Sequence, residues 1–188
     1  MMQAFDSEIR TALSAALGSS LGAPFSGRSV RMPARQADAS AHLPRGADAA
    51  PALCADYGSL YGAPLVRRVR LVSGWLLFDF TGAFFGALVS RVNAALPLPA
   101  DDGGLHAVNR MLALARHGGE GCPDSPVLRR ALLEAVCAGE SPAARSRADR
   151  AAETLFHSFP PRERPSLMQE CGALGGALAR LLYAAARE

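Results

Sequence analysis

The chain has 188 residues, 49% of them apolar, which suffices for one domain or two small ones with a sizeable hydrophobic core. All 20 basic residues are arginines, and the net charge of +3 lies wholly in residues 1–98, where nine arginines face six acids. Residues 99–188 balance eleven against eleven, which excludes a polycationic C-terminal half and leaves local arginine clusters as the only route to nucleic-acid affinity there.

In chain order, the spacing of Phe5, Ile9, Ala12, Leu13 and Ala16 predicts a helix over residues 3–17, ended by Gly18. Residues 28–35 ("RSVRMPAR") are compatible with a short strand, since Val30 and Met32 alternate with Ser29 and Arg31. Residues 33–52, rich in Pro, Ala and Asp, read as loop with one short helix. The N-terminus offers no signal peptide, because Asp6, Glu8 and Arg10 interrupt the stretch where an apolar core would be needed. Cys54, Cys122, Cys137 and Cys171 form no CxxC pair and read as reduced thiols, so the expectation is a cytoplasmic protein.

Residues 71–89, "LVSGWLLFDFTGAFFGALV", raise the question of a membrane span. Asp79 falls near the middle, where an ionised carboxylate costs on the order of 2.5–3.5 kcal/mol to insert. A soluble reading accounts for more of the residues. Val69 and Leu71 alternate with Arg68 and Arg70, Ser73-Gly74 makes a tight turn, and Trp75 to Phe80 form an aromatic strand. Leu76, Phe78 and Phe80 share one face of that strand, and Trp75, Leu77 and Asp79 the other. Thr81 then caps a helix on which Phe85, Leu88, Val89, Val92 and Leu96 recur, with Pro97 and Pro99 beyond it.

"ALPLPADDGG" supplies a domain boundary, giving an α+β unit at residues 1–98, a linker at 99–104 and an all-helical domain at 105–188. In the second half, helices are expected over 105–117, from Ser125-Pro126 to Gly139 with Leu128, Leu132, Leu133 and Val136 inside, and over 145–159. A last helix follows the Ser166/Gln169 capping box, with Leu167, Cys171, Leu174, Leu178, Leu181 and Ala185 along one stripe. Glycines flank that stripe and would admit a neighbouring helix closely, which suits a protein partner docked on this last helix.

The order of these elements resembles the arginyl-tRNA synthetase family. "VRLVSGWLLFDFTGAFFGALVSRVN" is similar to the end of that family's N-terminal accessory domain, with Gly74 at its turn glycine, Trp75 at the following aromatic and Phe78 near the second. "AVNRMLALAR" resembles the opening helix of the family's anticodon-binding DALR domain, on which Arg110 and Arg116 fall at matching positions. "FPPRERPSLMQECGALGGALARLLY" resembles its closing motif through Pro165, Leu167, Leu174, Leu178 and Tyr183. These segments cover about half of the chain, and no HIGH-like or KMSKS-like segment accompanies them. The resemblance therefore implies the flanking domains of a synthetase without its ATP-binding core, and binding of tRNA or a translation partner without bond chemistry.

Residue by residue, catalytic chemistry finds little support. "HGGEGC" lacks the Lys-Ser/Thr ending of a phosphate loop, and the histidines show no metal-ligand spacing. Cys171 lies within an apolar stripe, which favours a core thiol over a nucleophile. No cofactor or metal is implied. The arginine clusters remain: Arg67, Arg68 and Arg70 beside the hairpin, and Arg145 and Arg147, with Arg150, in a C-terminal helix. Either could meet an RNA backbone through bidentate phosphate contacts, or be a solvated face beside acids such as Asp149 and Glu153. Two functions stay open: a non-catalytic synthetase relative binding tRNA through Arg110, Arg116 and these clusters, or a helical protein-interaction module that kept the fold without RNA binding.

Overall fold

The computed structural model describes residues 2–96 and 126–137, together with positions 177, 180 and 181. The chain divides into two compact units, Gln3–Ala87 and Leu88–Glu188.

The first unit is α+β, and its sheet is antiparallel. Helix α1 spans Met2–Leu21, and Phe5, Ile9, Leu13 and Leu17 on its repeating face are buried. It runs past the end expected at Gly18. Gly22, at φ +65°, is the residue that turns the chain out, and the Ala23 N–H returns to the Gly18 carbonyl at 3.2 Å. This is a Schellman-type termination. Gly18 serves a different purpose: a Cβ there would sit 3.2 Å from the Ala23 carbonyl oxygen and 3.4 Å from the Phe25 nitrogen. Buried Asp6 pairs with Arg10 at 2.7 Å, and Arg10 also donates to the Val30 carbonyl, tying α1 to the strand that follows.

That strand, β1, covers Val30–Arg31 and is shorter than the sequence allowed. The stretch expected to be loop with one short helix holds that helix, α2, at Ala50–Leu53, and also a second strand, β2, at Ala39–His42, which was not expected. β2 escapes sequence reading because Ala-Ser-Ala-His carries no β-branched or aromatic residue. Ala39, Ser40 and Ala41 are nevertheless buried, since a strand flanked on both sides needs little side-chain bulk of its own. A small hairpin follows, β3 at Ser59–Leu60 and β4 at Ala63–Pro64. The long hairpin comes next, β5 at Val66–Val72 and β6 at Trp75–Phe80.

Both hairpins close through two residues at positive φ, Tyr61 (56°) and Gly62 (80°), then Ser73 (48°) and Gly74 (80°). That is the type I′ geometry, whose twist suits the flanking strands. The main sheet has the order β1-β2-β6-β5.

Its inner face carries Val30, Ala39, Ala41, Leu76, Phe78 and Phe80, all fully buried, and continues onto β5 with Val69 and the exposed Leu71. Helix α3, at Gly82–Ala95, begins where expected: the Thr81 hydroxyl oxygen accepts the Phe84 N–H at 2.9 Å. Its first turn delivers Phe84 against Phe80, with ring centroids 5.2 Å apart and nearly perpendicular. Tyr57 packs edge-on against Phe78 at 5.3 Å, and its hydroxyl donates to the Ala52 carbonyl at 2.6 Å. Aromatic pairs of this geometry add about 0.5–1.5 kcal/mol each beyond their buried area.

In the second unit, Leu88, Val89, Val92 and Leu96 are buried as the helical spacing predicts. Arg180 closes the end of α3, donating from Nε to the Leu96 carbonyl and from Nη1 to Asn93 Oδ1, each at 2.8 Å. Helix α4 covers Pro126–Val136, with Leu132, Leu133 and Val136 buried. On the same helix, buried Glu134 is paired with Arg130 at 3.0 Å. Ala177, Arg180 and Leu181 are helical, with Ala177 and Leu181 buried. The linker at 99–104, the helices expected over 105–117 and 145–159, and the rest of the last helix lie outside the described residues. No described helix is long and apolar enough to cross a membrane.

Burial raises the Tyr57 phenol from its ordinary 10.0 to about 12. Ionisation is then easier in the unfolded chain than in the folded one. The stability Tyr57 contributes is complete below pH 10 and is lost as pH rises through about 12. Urea unfolding across this range should show Tyr57→Phe less stable at neutral pH, by about 1 kcal/mol for the lost hydrogen bond. Above pH 10 its stability should decline less steeply than that of the unmodified chain, whereas parallel declines would contradict the burial of the phenol.

Candidate functional site

The strand pairing fixes which side chains share the sheet's other face. Arg31 stands opposite Ser40, Ser40 opposite Leu77, and Leu77 opposite Arg70, one row across all four strands. A second row runs through His42, Trp75 and Val72, and a third pairs Asp79 with Arg68. Side chains alternate along each strand, so these residues point away from the buried aromatic layer.

On this outer face the Arg31 guanidinium lies over the Trp75 ring, 4.6 Å from its centroid. That contact is a cation–π pair, worth about 0.5–1 kcal/mol where solvent reaches it. His42 meets the same indole edge-on at 5.0 Å. The segment after β1 folds back over the face, and between it and the hairpin end lies a cleft of about 400 Å³. Ser40, Trp75 and Leu77 line it together with Arg31 and Arg35, and Val72 and Ser73 belong to its hairpin side.

The hairpin arginines differ in their surroundings. Arg67 is exposed. The Arg68 side chain is 63% exposed, with Nε 4.0 Å from Asp79 Oδ2. Arg70 is more enclosed, donating from Nη2 to Asp79 Oδ1 at 3.1 Å and to the Gln36 carbonyl at 3.0 Å. Asp79 thus holds Arg70 against the carbonyl of Gln36, a residue that lines the cleft, and offsets its charge. Arg110, Arg116, Arg145 and Arg147 lie outside the described residues.

Sequence reading missed Arg31, Arg35, His42 and Trp75 as a group. Trp75 and Arg70 were legible as neighbours within one hairpin, but Arg31 reaches the indole only because β2 lies between β1 and β6. Chemically, the face offers a flat apolar surface, guanidinium donors and a neutral hydroxyl. It suits a planar ring bearing an anionic group. Among the described residues, no cluster of His, Cys, Asp and Glu could hold a metal ion. No family model, curated protein or solved structure matches the chain.

Replacing Asp79 by Asn should release Arg68 and Arg70 toward solvent. The variant is expected to elute from a heparin column at higher salt than the unmodified chain, while losing no more than about 1 kcal/mol of stability. Elution at equal or lower salt would show that Asp79 does not restrain these guanidiniums.

Proposed function

We propose that the chain is a non-catalytic relative of the arginyl-tRNA synthetases, cytoplasmic, binding tRNA or a translation partner by shape and charge. The observation that carries the reading is the outer sheet face, where Trp75 lies beneath Arg31 and Arg68 stays exposed farther along the same face. An aromatic plane flanked by guanidiniums is the usual means of holding unpaired bases and their phosphates. The same reading takes the second unit as a helical bundle of DALR type, with Arg110, Arg116, Arg145 and Arg147 as further phosphate contacts. Helix α4 with its buried leucines, and the helical positions Ala177, Arg180 and Leu181, support that assignment. Local arginine placement matters more here than total charge, since the second half of the chain is neutral overall.

Binding of the purified chain to total tRNA across a salt series tests the proposal. Affinity should fall steeply with salt and favour arginine isoacceptors. Arg68→Ala should reduce the slope by about one, the signature of one lost phosphate contact. Trp75→Ala should weaken binding by about 1–3 kcal/mol with the slope unchanged. An absence of binding at low salt would overturn the proposal and leave the chain as an interaction module without RNA.

A further inference from the structure

Among the described residues, strand β5 has a neighbour, β6, on one side only. The two-residue turn makes Val72 and Trp75 the hydrogen-bonded pair that closes the hairpin, so pairing alternates back along β5. Arg70 then exchanges its backbone bonds with Leu77, while the N–H and C=O groups of Val69 and Leu71 point outward to the free edge. Among the described residues, no backbone group bonds to them there.

Exposed edges of this kind are commonly blunted by charge and by bulges. Here a register shift between Val66 and Arg68 makes Arg67 the bulged residue, which accounts for one end of the strand. It does not account for the other end. The large hydrophobic residues exposed among those described are Leu53 (39%), Leu71 (44%) and Val72 (42%). Two of them lie on β5, and Leu53 belongs to α2, the helix that packs against β5. Unused ladder groups, exposed aliphatic side chains and arginines thus occur along a single strand.

We propose that the free edge of β5 is a docking strand for an extended acidic segment of a partner protein, one in which glutamate or aspartate alternates with aliphatic residues. The backbone ladder along Val69 and Leu71 supplies the pairing, as in other strand-addition complexes. Leu71 covers the partner's aliphatic side chains. Arg67, exposed and without an acidic partner among the described residues, and Arg68, 63% exposed, meet its carboxylates. Charge selects the occupant: a second copy of this chain would bring two arginine-rich strands together, whereas an acidic segment offsets them.

The experiment uses the full chain and a fluorescein-labelled decapeptide alternating glutamate and valine, read by fluorescence anisotropy at low salt. Its controls are the lysine-for-glutamate counterpart and two versions of the acidic peptide N-methylated on alternate residues, one for each parity. The acidic peptide should bind, and the lysine peptide at least tenfold more weakly. One N-methylated version should fail while the other binds, because only one set of amides faces β5. Arg67→Glu should weaken the acidic peptide about tenfold, and Leu71→Pro, which removes an outward N–H without touching the hairpin ladder, should do the same. Hydrogen exchange should slow at Val69 and Leu71 on binding. Equal binding of the lysine peptide, or indifference to N-methylation of either parity, would overturn the proposal. So would self-association of the chain with protection of those same amides, which would assign the edge to a second copy.

Discussion

The carboxylate of Asp38 accepts the backbone N–H of Phe80 at 2.7 Å, and the Asp38 N–H donates to the Phe78 carbonyl at 3.0 Å. These two bonds anchor the start of β2 to the far end of β6. β2 has little else to hold it, since the buried side chains of Ala39, Ser40 and Ala41 are small and contribute little apolar surface each. Its place in the middle of the sheet depends on hydrogen bonds along both sides, and an unmade buried bond costs about 1–3 kcal/mol. From that placement follow the order of the four strands, the continuous inner face, and the crossing rows of the outer face. The Ala34 N–H, bonded to the Asp38 carbonyl at 3.3 Å, turns the preceding loop back on itself and keeps Arg35 and Gln36 beside the cleft.

The two faces of the sheet are held by different physics. On the inner face, Phe78, Phe80, Phe84 and Tyr57 interlock through ring contacts in a layer closed to water. On the outer face, ion pairs and a cation–π contact arrange side chains that solvent still reaches. Such pairs contribute little to stability one by one. Their consequence is positional: Asp79 holds Arg70, Arg70 holds the Gln36 carbonyl, and Arg31 rests on Trp75, so Gln36, Arg31 and Trp75 at the cleft have their directions already set. A site prepared in this way loses less entropy on binding than one assembled from free arginines.

Much of the first unit was legible in the sequence where the signal was local. The alternation of Arg68 to Leu71, the Ser73-Gly74 turn and the Thr81 cap each act over a few residues, and hairpin and helix fall where those signals put them. Gly18 misled because a glycine near a helix end commonly terminates it. In this chain the glycine is inside the helix and admits the returning backbone of Ala23 and Phe25. β2 was not legible, since its strand character comes from its neighbours and from Asp38. The candidate site shows the same division. Arg67, Arg68 and Arg70 were visible as a run, but the capture of Arg70 by Asp79 needs the strand register, and the meeting of Arg31 with Trp75 needs β2 in place. Arg110, Arg116, Arg145 and Arg147 rest on the family resemblance and on local clustering, and no described residue adds to either.

On the proposed function, the outer sheet face meets RNA through Arg31 and Trp75. An amide and indole N–H chemical-shift titration of the full chain with a short single-stranded RNA addresses it most directly. The largest shifts are expected at Arg31, Ser40, His42, Leu77 and the Trp75 indole, with the α1 face left in place. Shifts confined to other regions, or none at a saturating RNA concentration, would contradict it.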